Sequence, residues 1–413
     1  MTITVRDETA TWDEPGYLAS GYSYWLTGRY DMIPEHPPLA RLLQSLPLRL
    51  IHHPQLDTNS PEWKRSEFVM VGNLFLYRNT ASPDAMLFAG RMVSIAMALS
   101  FAVYLAWWTR RRFGDAAGIT ALALYAFDPN IIAHGRYTTN DLPVAAFGFI
   151  AWTLWFEGSG VLAGLALGCA LATKFSALYL VPVLIAMAIV QRRFRALAIT
   201  AATALVVVVI VYAPEVLHSG QLPPLAARIT RAGITGPALS ALAALHVPAY
   251  SFLTGIDWQS SHSATGHPAY LLGQVSDRGW WYYFPVAFAV KTPAATLAGA
   301  LAALALIWRS RHRRLLAALL LPAAVYFALA MTTHIDIGVR YLLPIYPFLF
   351  VVIAAVLAEW RKPAAIAVVA LLAIESAAIY PDYLAFFNFP SGGPKAGPRA
   401  SPSRRYNRRS AVK

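Results

Sequence analysis

Residues 84–109 read DAMLFAGRMVSIAMALSFAVYLAWWT and run straight into Arg110-Arg111-Arg112. The stretch exceeds the ~20 residues that a helix needs to cross the hydrocarbon core of a bilayer, and a basic block at one end fixes such a span to one side. Working outward, apolar stretches recur at about 116–133, 141–156, 159–173, 176–190, 196–214, 283–308, 314–332, 341–359 and 363–380. Strands of a membrane barrel would alternate polar and apolar residues, so helices are expected instead. The fold class that follows is all-α, a polytopic transmembrane helical bundle of about ten spans. Those at 141–156, 159–173 and 176–190 are short for a full crossing and are expected to be tilted, broken or buried against other helices. Composition agrees: 413 residues that are 57% hydrophobic and 13% charged, with mean hydropathy +0.48, exclude an ordinary soluble globule.

The net charge of +13 does not point to nucleic acid, because the basic residues form short blocks between apolar segments and no stripe along one face. The blocks are Arg110 to Arg112, then Arg192, Arg193 and Arg195, then Arg309, Arg311, Arg313 and Arg314, then Arg361-Lys362. With ten spans all four fall on one side, expected to be the cytoplasm. A multi-pass protein of a bacterial inner membrane is expected, with its polar chemistry on the periplasmic face. Cys169 is the only cysteine, inside an apolar run, so no intrachain disulfide can form.

Three regions are expected. Residues 1–83 form an outer loop, too polar to cross, whose apolar patches Leu39 to Ile51 and Phe68 to Leu76 suit helices lying in the interface. Residues 84–380 form the transmembrane bundle, with a long outer loop at 215–282. Residues 381–413 form an outer basic tail, rich in Arg, Pro, Ser and Gly and expected to be disordered.

Chemistry-bearing residues gather in the outer connections. Asp13-Glu14 heads a helix-like run, PGYLASGYSYWLTG; its plainer reading is that Asp13 caps that helix, and its functional reading is a general base toward an acceptor hydroxyl. His36 sits in Glu35-His36-Pro37-Pro38, where the double proline fixes extended backbone and a surface turn is the plainer reading. Lys174 and Lys291 interrupt apolar runs, which by default marks a functional site, with snorkelling to the interface as the alternative. Arg136 with Asp141, and Asp336 with Arg340, form two acid–arginine sets that also fit structural ion pairs. Cations from distant segments together with carboxylates suit the charge that develops as a sugar leaves a phosphate, with one carboxylate as base in an inverting transfer.

On these residues the sequence resembles the GT-C superfamily of membrane glycosyltransferases, specifically the bacterial branch related to protein O-mannosyltransferases and the lipid A aminoarabinose transferase. The segments that carry the resemblance are WDEPGYLASGYSYWLTGRY (12–30), PEHPPLARLL (34–43), GRYTTNDLPVAAF (135–147), LATKFSALYLVP (171–182), the stretch 262–293 ending in FPVAFAVKTP, and IDIGVRYLLPIYPFLF (335–350). The resemblance implies a GT-C bundle with interfacial helices in its first outer loop, and an essential Asp-Glu pair that maps onto Asp13 and Glu14, with Asp13 as the base. It implies a polyprenyl-phosphate-linked sugar donor and a protein, lipid or glycan acceptor, in contact with membrane lipids. No cofactor is assigned, and a divalent metal is left open. Relatives carry a transmembrane helix before the Asp-Glu loop and continue beyond the FFNFPSGGPKAG-like stretch, so a truncated or frameshifted product is expected here.

Two other classes compete. A lipid-linked sugar transporter or flippase would gather its polar residues at the bilayer midplane in repeated broken helices. A catalytically inactive membrane scaffold would show no turnover with a polyprenyl-phosphate sugar.

Overall fold

The structure is a computed structural model that describes residues 5–6, 8–30, 32–219 and 250–393. The expected outer loop at 215–282 and basic tail at 381–413 therefore lie partly outside the described residues, at 220–249 and 394–413. In chain order the principal helices are α1 (Glu14–Thr27), α2 (Leu39–Pro47), α3 (Phe68–Tyr77), α4 (Pro83–Phe113) and α5 (Asp115–Phe127). There follow α6 (Asp141–Phe156), α7 (Gly160–Leu171), α8 (Leu180–Gln191), α9 (Phe194–Ser219) and α10 (Tyr250–Thr265). The last are α11 (Tyr283–Lys291), α12 (Ala294–Leu306), α13 (Arg313–Ala330), α14 (Tyr346–Trp360) and α15 (Lys362–Ala378). Between α10 and α11, β1 (Ala269–Leu271) pairs antiparallel with β2 (Gln274–Ser276), Ala269 opposite Ser276.

Among the described residues, four helical segments are long and apolar enough to cross a membrane: Pro83–Phe113, Phe194–Glu215, Arg313–Ala330 and Val339–Trp360. The chain is a multi-pass integral membrane protein. All ten expected segments are helical, but their lengths differ from the expectation in ways the backbone explains. The expected 283–308 span is two helices bent by 109°. Thr292 precedes Pro293 and is therefore extended (ψ 133°), which breaks the helix. The expected 116–133 span stops at Phe127 for the same reason, because Asp128 precedes Pro129 and is extended at ψ 121°. The Asp128 carboxylate then accepts the N–H groups of Asn130 and Ile131, at 2.8 and 3.2 Å, and opens a second short helix, Pro129–His134. At ~1.5 Å per residue, apolar helices of the length of α5, α6 and α7 fall short of a ~30 Å core, and they bury themselves against neighbours instead.

The chain divides into two units. One comprises Met1–Ala98 with Gly135–His262. Its first helices pack through Tyr17, Leu18, Tyr22, Trp63, Phe75 and Leu76. Here α7 lies close along α9 because Gly160, Gly164 and Gly168 fall every fourth residue on one face; a Cβ at Gly164 would sit 2.6 Å from the Thr200 carbonyl oxygen. Small residues at that spacing let helix backbones approach where lipid offers no hydrophobic drive.

The other unit comprises Leu99–His134 with Ser263–Lys413. Its centre is Val339–Trp360, whose apolar window is 89% buried, against 22% for Phe194–Glu215 in the first unit. The first of these is a core helix enclosed by α5, α12, α13 and α15; the second leaves most of its surface for lipid.

Candidate active site

In the first unit the Asp-Glu pair splits into two environments. Glu14 is fully buried, and its carboxylate is saturated with donors. Arg91 of α4 reaches it with Nε at 2.9 Å and Nη2 at 2.7 Å; the backbone N–H groups of Thr11 and Thr138 complete the shell at 2.9 and 3.1 Å. Arg91, 1% exposed, turns its remaining protons to the carbonyls of Val5, Glu8 and Thr9 at 2.8 to 2.9 Å. A two-pronged arginine–carboxylate contact of this kind is geometrically demanding as well as strong. It ties the segment before α1 and the 135–141 loop to α4 at a single point.

Asp13, half-buried, occupies the N-cap position of α1, but its side chain makes no capping hydrogen bond and its backbone there is helical (φ −85°, ψ −27°). The capping alternative raised by the sequence therefore does not describe it. Its charge is felt by Glu35, whose carboxyl is raised above the ordinary range first by burial and further by Asp13, against the lowering effects of a backbone hydrogen bond and Arg41. Arg41 of α2, buried, pins the Glu35-His36 turn from below: it donates to the Ser20 hydroxyl at 2.9 Å and to the carbonyl oxygens of Ile33 and His36. His36 lies edge-on to Tyr17 with ring centroids 5.8 Å apart.

The cations expected near this site are engaged elsewhere. Arg136 and Asp141 do not form the set their proximity in sequence suggests: Arg136 pairs with Glu8 at 2.8 Å, and Asp141 pairs with Lys174 at 2.5 Å. Both pairs are largely buried on the cation side. Lys174 ends the turn after α7, and nearby the N–H of Leu39 bonds the Ala172 carbonyl at 2.8 Å, joining this corner to the Glu35-His36 turn.

In the second unit the bend at Thr292-Pro293 frees backbone groups that hydrocarbon could not satisfy, and side chains meet them. Asn130 donates to the Lys291 carbonyl at 2.8 Å, and Asn388 donates to those of Ala289 and Thr292 at 2.6 and 2.8 Å. Glu375 of α15 accepts the first N–H groups of α12, from Ala294 and Ala295, at 3.1 and 3.2 Å. The bend is thereby fixed, and Lys291 is held at its apex. The Lys291 ammonium lies 3.8 Å over the Phe387 ring and donates to the Leu384 carbonyl at 3.3 Å. Asp336 accepts the Trp280 N–H at 2.9 Å and makes no ion pair with Arg340 among the described residues, so the second expected acid–arginine set is also not formed. Burial raises the Asp336 carboxyl, against the Trp280 N–H and the charge of His334. Arg340 opens the turn Val339–Ile345 that leads into α14.

Arg91 and Glu8, two of the strongest electrostatic partners in the first unit, have no place among the sequence candidates. Arg91 could have been found: an arginine inside a span carries a large insertion cost and implies a partner. Glu8 could not, since it lies in a polar segment without periodicity. Among the described residues no three His, Cys, Asp or Glu side chains come together as a metal site requires.

With this geometry in place, comparison adds three findings. Residues 83–218 match the family described as dolichyl-phosphate-mannose-protein mannosyltransferase. The structure matches ArnT from Cupriavidus metallidurans in the apo state, with TM-score 0.54 over 86% of this chain at 14% identity. It matches ArnT from the same organism bound to undecaprenyl phosphate, with TM-score 0.57 over 91% of this chain at 15% identity. The two proteins share a fold. The chain spans 56% and 60% of the length of the two ArnT structures. No curated protein matches the sequence. The ArnT fold, together with the family match, agrees with the GT-C resemblance drawn from the motifs.

Proposed function

We propose that this chain is a membrane glycosyltransferase that moves a sugar from a polyprenyl-phosphate carrier to a protein, lipid or envelope-glycan acceptor on the non-cytoplasmic face. The asymmetry of the Asp13-Glu14 pair carries this reading. Glu14 is saturated by Arg91, Thr11 and Thr138 and holds the loop; Asp13 is placed by that anchor and is not spent on capping α1. A general base needs a fixed position, and the anchored Glu14 beside it supplies one to Asp13.

In the reaction, Asp13 takes the proton of the acceptor hydroxyl. The hydroxyl oxygen bonds to the anomeric carbon from the face opposite the carrier, the bond from that carbon to the phosphate oxygen breaks, and the phosphate leaves with the electron pair. Lys174 and Arg136 are committed to Asp141 and Glu8, so neither is assigned to the leaving phosphate. The ArnT structure holding undecaprenyl phosphate supports a carrier of that class. The four basic blocks support an orientation in which residues 1–83, 215–282 and 381–413 face outward, in a bacterial inner membrane.

The test is a donor-depletion assay on the purified chain with a panel of polyprenyl-phosphate-linked sugars. Release of polyprenyl phosphate with at least one donor is expected. Absence of depletion across the panel, from protein that is folded by circular dichroism, would reject the reading.

A further inference from the structure

A cavity of about 280 Å³ opens inside the second unit beside the bend, and its walls include Tyr270, Tyr283, Val290, Lys291, Asp336 and Phe387. Small-molecule sites run from ~300 Å³ upward, so the space suits a monosaccharide-sized head group and is too small for an isoprenoid chain. What distinguishes it is that two opposite charges line it and do not meet. Lys291 makes no ion pair among the described residues, and uses one proton on the Leu384 carbonyl while resting on the Phe387 ring. An ammonium has three protons to give.

Asp336 is 6% exposed. Its Oδ2 is seated by the Trp280 N–H and against Gly279, which has φ +67° and where a Cβ would fall 2.1 Å from that oxygen. Its Oδ1 is buried with no hydrogen-bond partner. A buried acceptor left unmade is costly, and a donor bound in the cavity that Asp336 lines would supply its partner.

A ligand satisfies both groups only if it carries an anion at one end and a hydrogen-bond donor at the other. Inorganic phosphate would answer Lys291 and be repelled by Asp336; a neutral glycoside would answer Asp336 alone. We propose that this cavity is a carbohydrate subsite, in which Lys291 holds the phosphate of a sugar phosphate and Asp336 Oδ1 accepts from a ring hydroxyl, so that Asp336 sets which sugars are taken. The assignment of the phosphate rests on the glycosyltransferase reading; the role of Asp336 goes beyond it.

Isothermal titration of the full chain in detergent would use the 1-phosphates of glucose, galactose, mannose and N-acetylglucosamine, with inorganic phosphate and methyl glucoside as the single-ended probes. At least one sugar 1-phosphate is expected to bind ~10-fold or more tightly than inorganic phosphate, the scale of a hydrogen bond to a charged group. Asp336→Leu should abolish that margin, and Lys291→Met should weaken both phosphates. Asp336→Asn keeps an oxygen for the Trp280 N–H and should fold with a near-native thermal midpoint while narrowing the margin. No sugar 1-phosphate exceeding inorganic phosphate, or an undiminished margin in Asp336→Asn, would overturn the subsite. Because titration needs no turnover, the two readings separate. A margin lost in the Asp336 variants of a chain that transfers no sugar keeps the subsite and removes the transferase, whereas transfer by the wild type with an Asp336-independent margin does the reverse.

Discussion

The two units handle buried charge in opposite ways. In the first, Glu14 with Arg91, Glu8 with Arg136 and Asp141 with Lys174 are closed pairs. In the second, Lys291 and Asp336 line one cavity and form no pair. A closed pair in low dielectric holds structure, since removing either partner strands a charge. An open one is stable only where water or a ligand completes it. Buried charge alone is therefore a poor mark of a functional residue; what matters is whether its hydrogen-bonding capacity is already used.

The comparison is broken most easily at Arg91. Arg91→Met leaves the fully buried Glu14 without its counter-ion and should destabilise the protein by about 3–5 kcal/mol, the cost of opening a buried pair. Thermal unfolding in detergent would show it as a large fall in midpoint, and a midpoint near wild type would return Glu14 to the list of substrate-facing groups. Lys174→Met should cost less than that and should be partly relieved by Asp141→Asn, since the double variant strands no charge; coupling of roughly 0.5–3 kcal/mol is expected from a double-mutant cycle. Additivity of the two substitutions would mean that Lys174 serves a ligand and not Asp141.

Much of this was legible in the sequence, and what was not has a physical reason. Helical segments were visible from apolar length, because hydrocarbon admits little else. Their breaks at Asp128-Pro129 and Thr292-Pro293 were written in the prolines, but averaging hydropathy over a whole span hides a single residue. Arg136 and Asp141 lie close in sequence and share a loop, yet Asp141 begins α6 and points its carboxylate to Lys174, so proximity along the chain did not give the pairing. Arg91 was passed over because one arginine barely lowers the mean hydropathy of Pro83–Phe113. The free oxygen of Asp336 depends on Gly279, which is distant in sequence and is brought beside it only by the fold.

A smaller effect sharpens the contrast at the Asp-Glu loop. Burial, aided by Asp13, raises the folded-state Glu35 carboxyl above the ~4.3 of an unfolded chain. The folded state thus keeps a proton in a window where the unfolded chain has lost it, so this contribution to stability is fully present below pH ~4.3 and is lost as pH rises through the folded pKa. Glu35→Gln should flatten the pH dependence of the unfolding midpoint across that window. An unchanged slope would mean that Glu35 is ionised and served by other groups.

The most direct measurement is sugar transfer by Asp13→Asn, set against its own stability and donor binding. Asparagine preserves the shape of the side chain and removes the base. With Glu14 still held by Arg91, the variant should unfold at the wild-type midpoint, bind the lipid-linked donor as before, and lose on the order of 10²-fold or more in turnover, the scale of general acid–base catalysis. Turnover near wild type from a folded, donor-binding Asp13→Asn would contradict the assignment of the base.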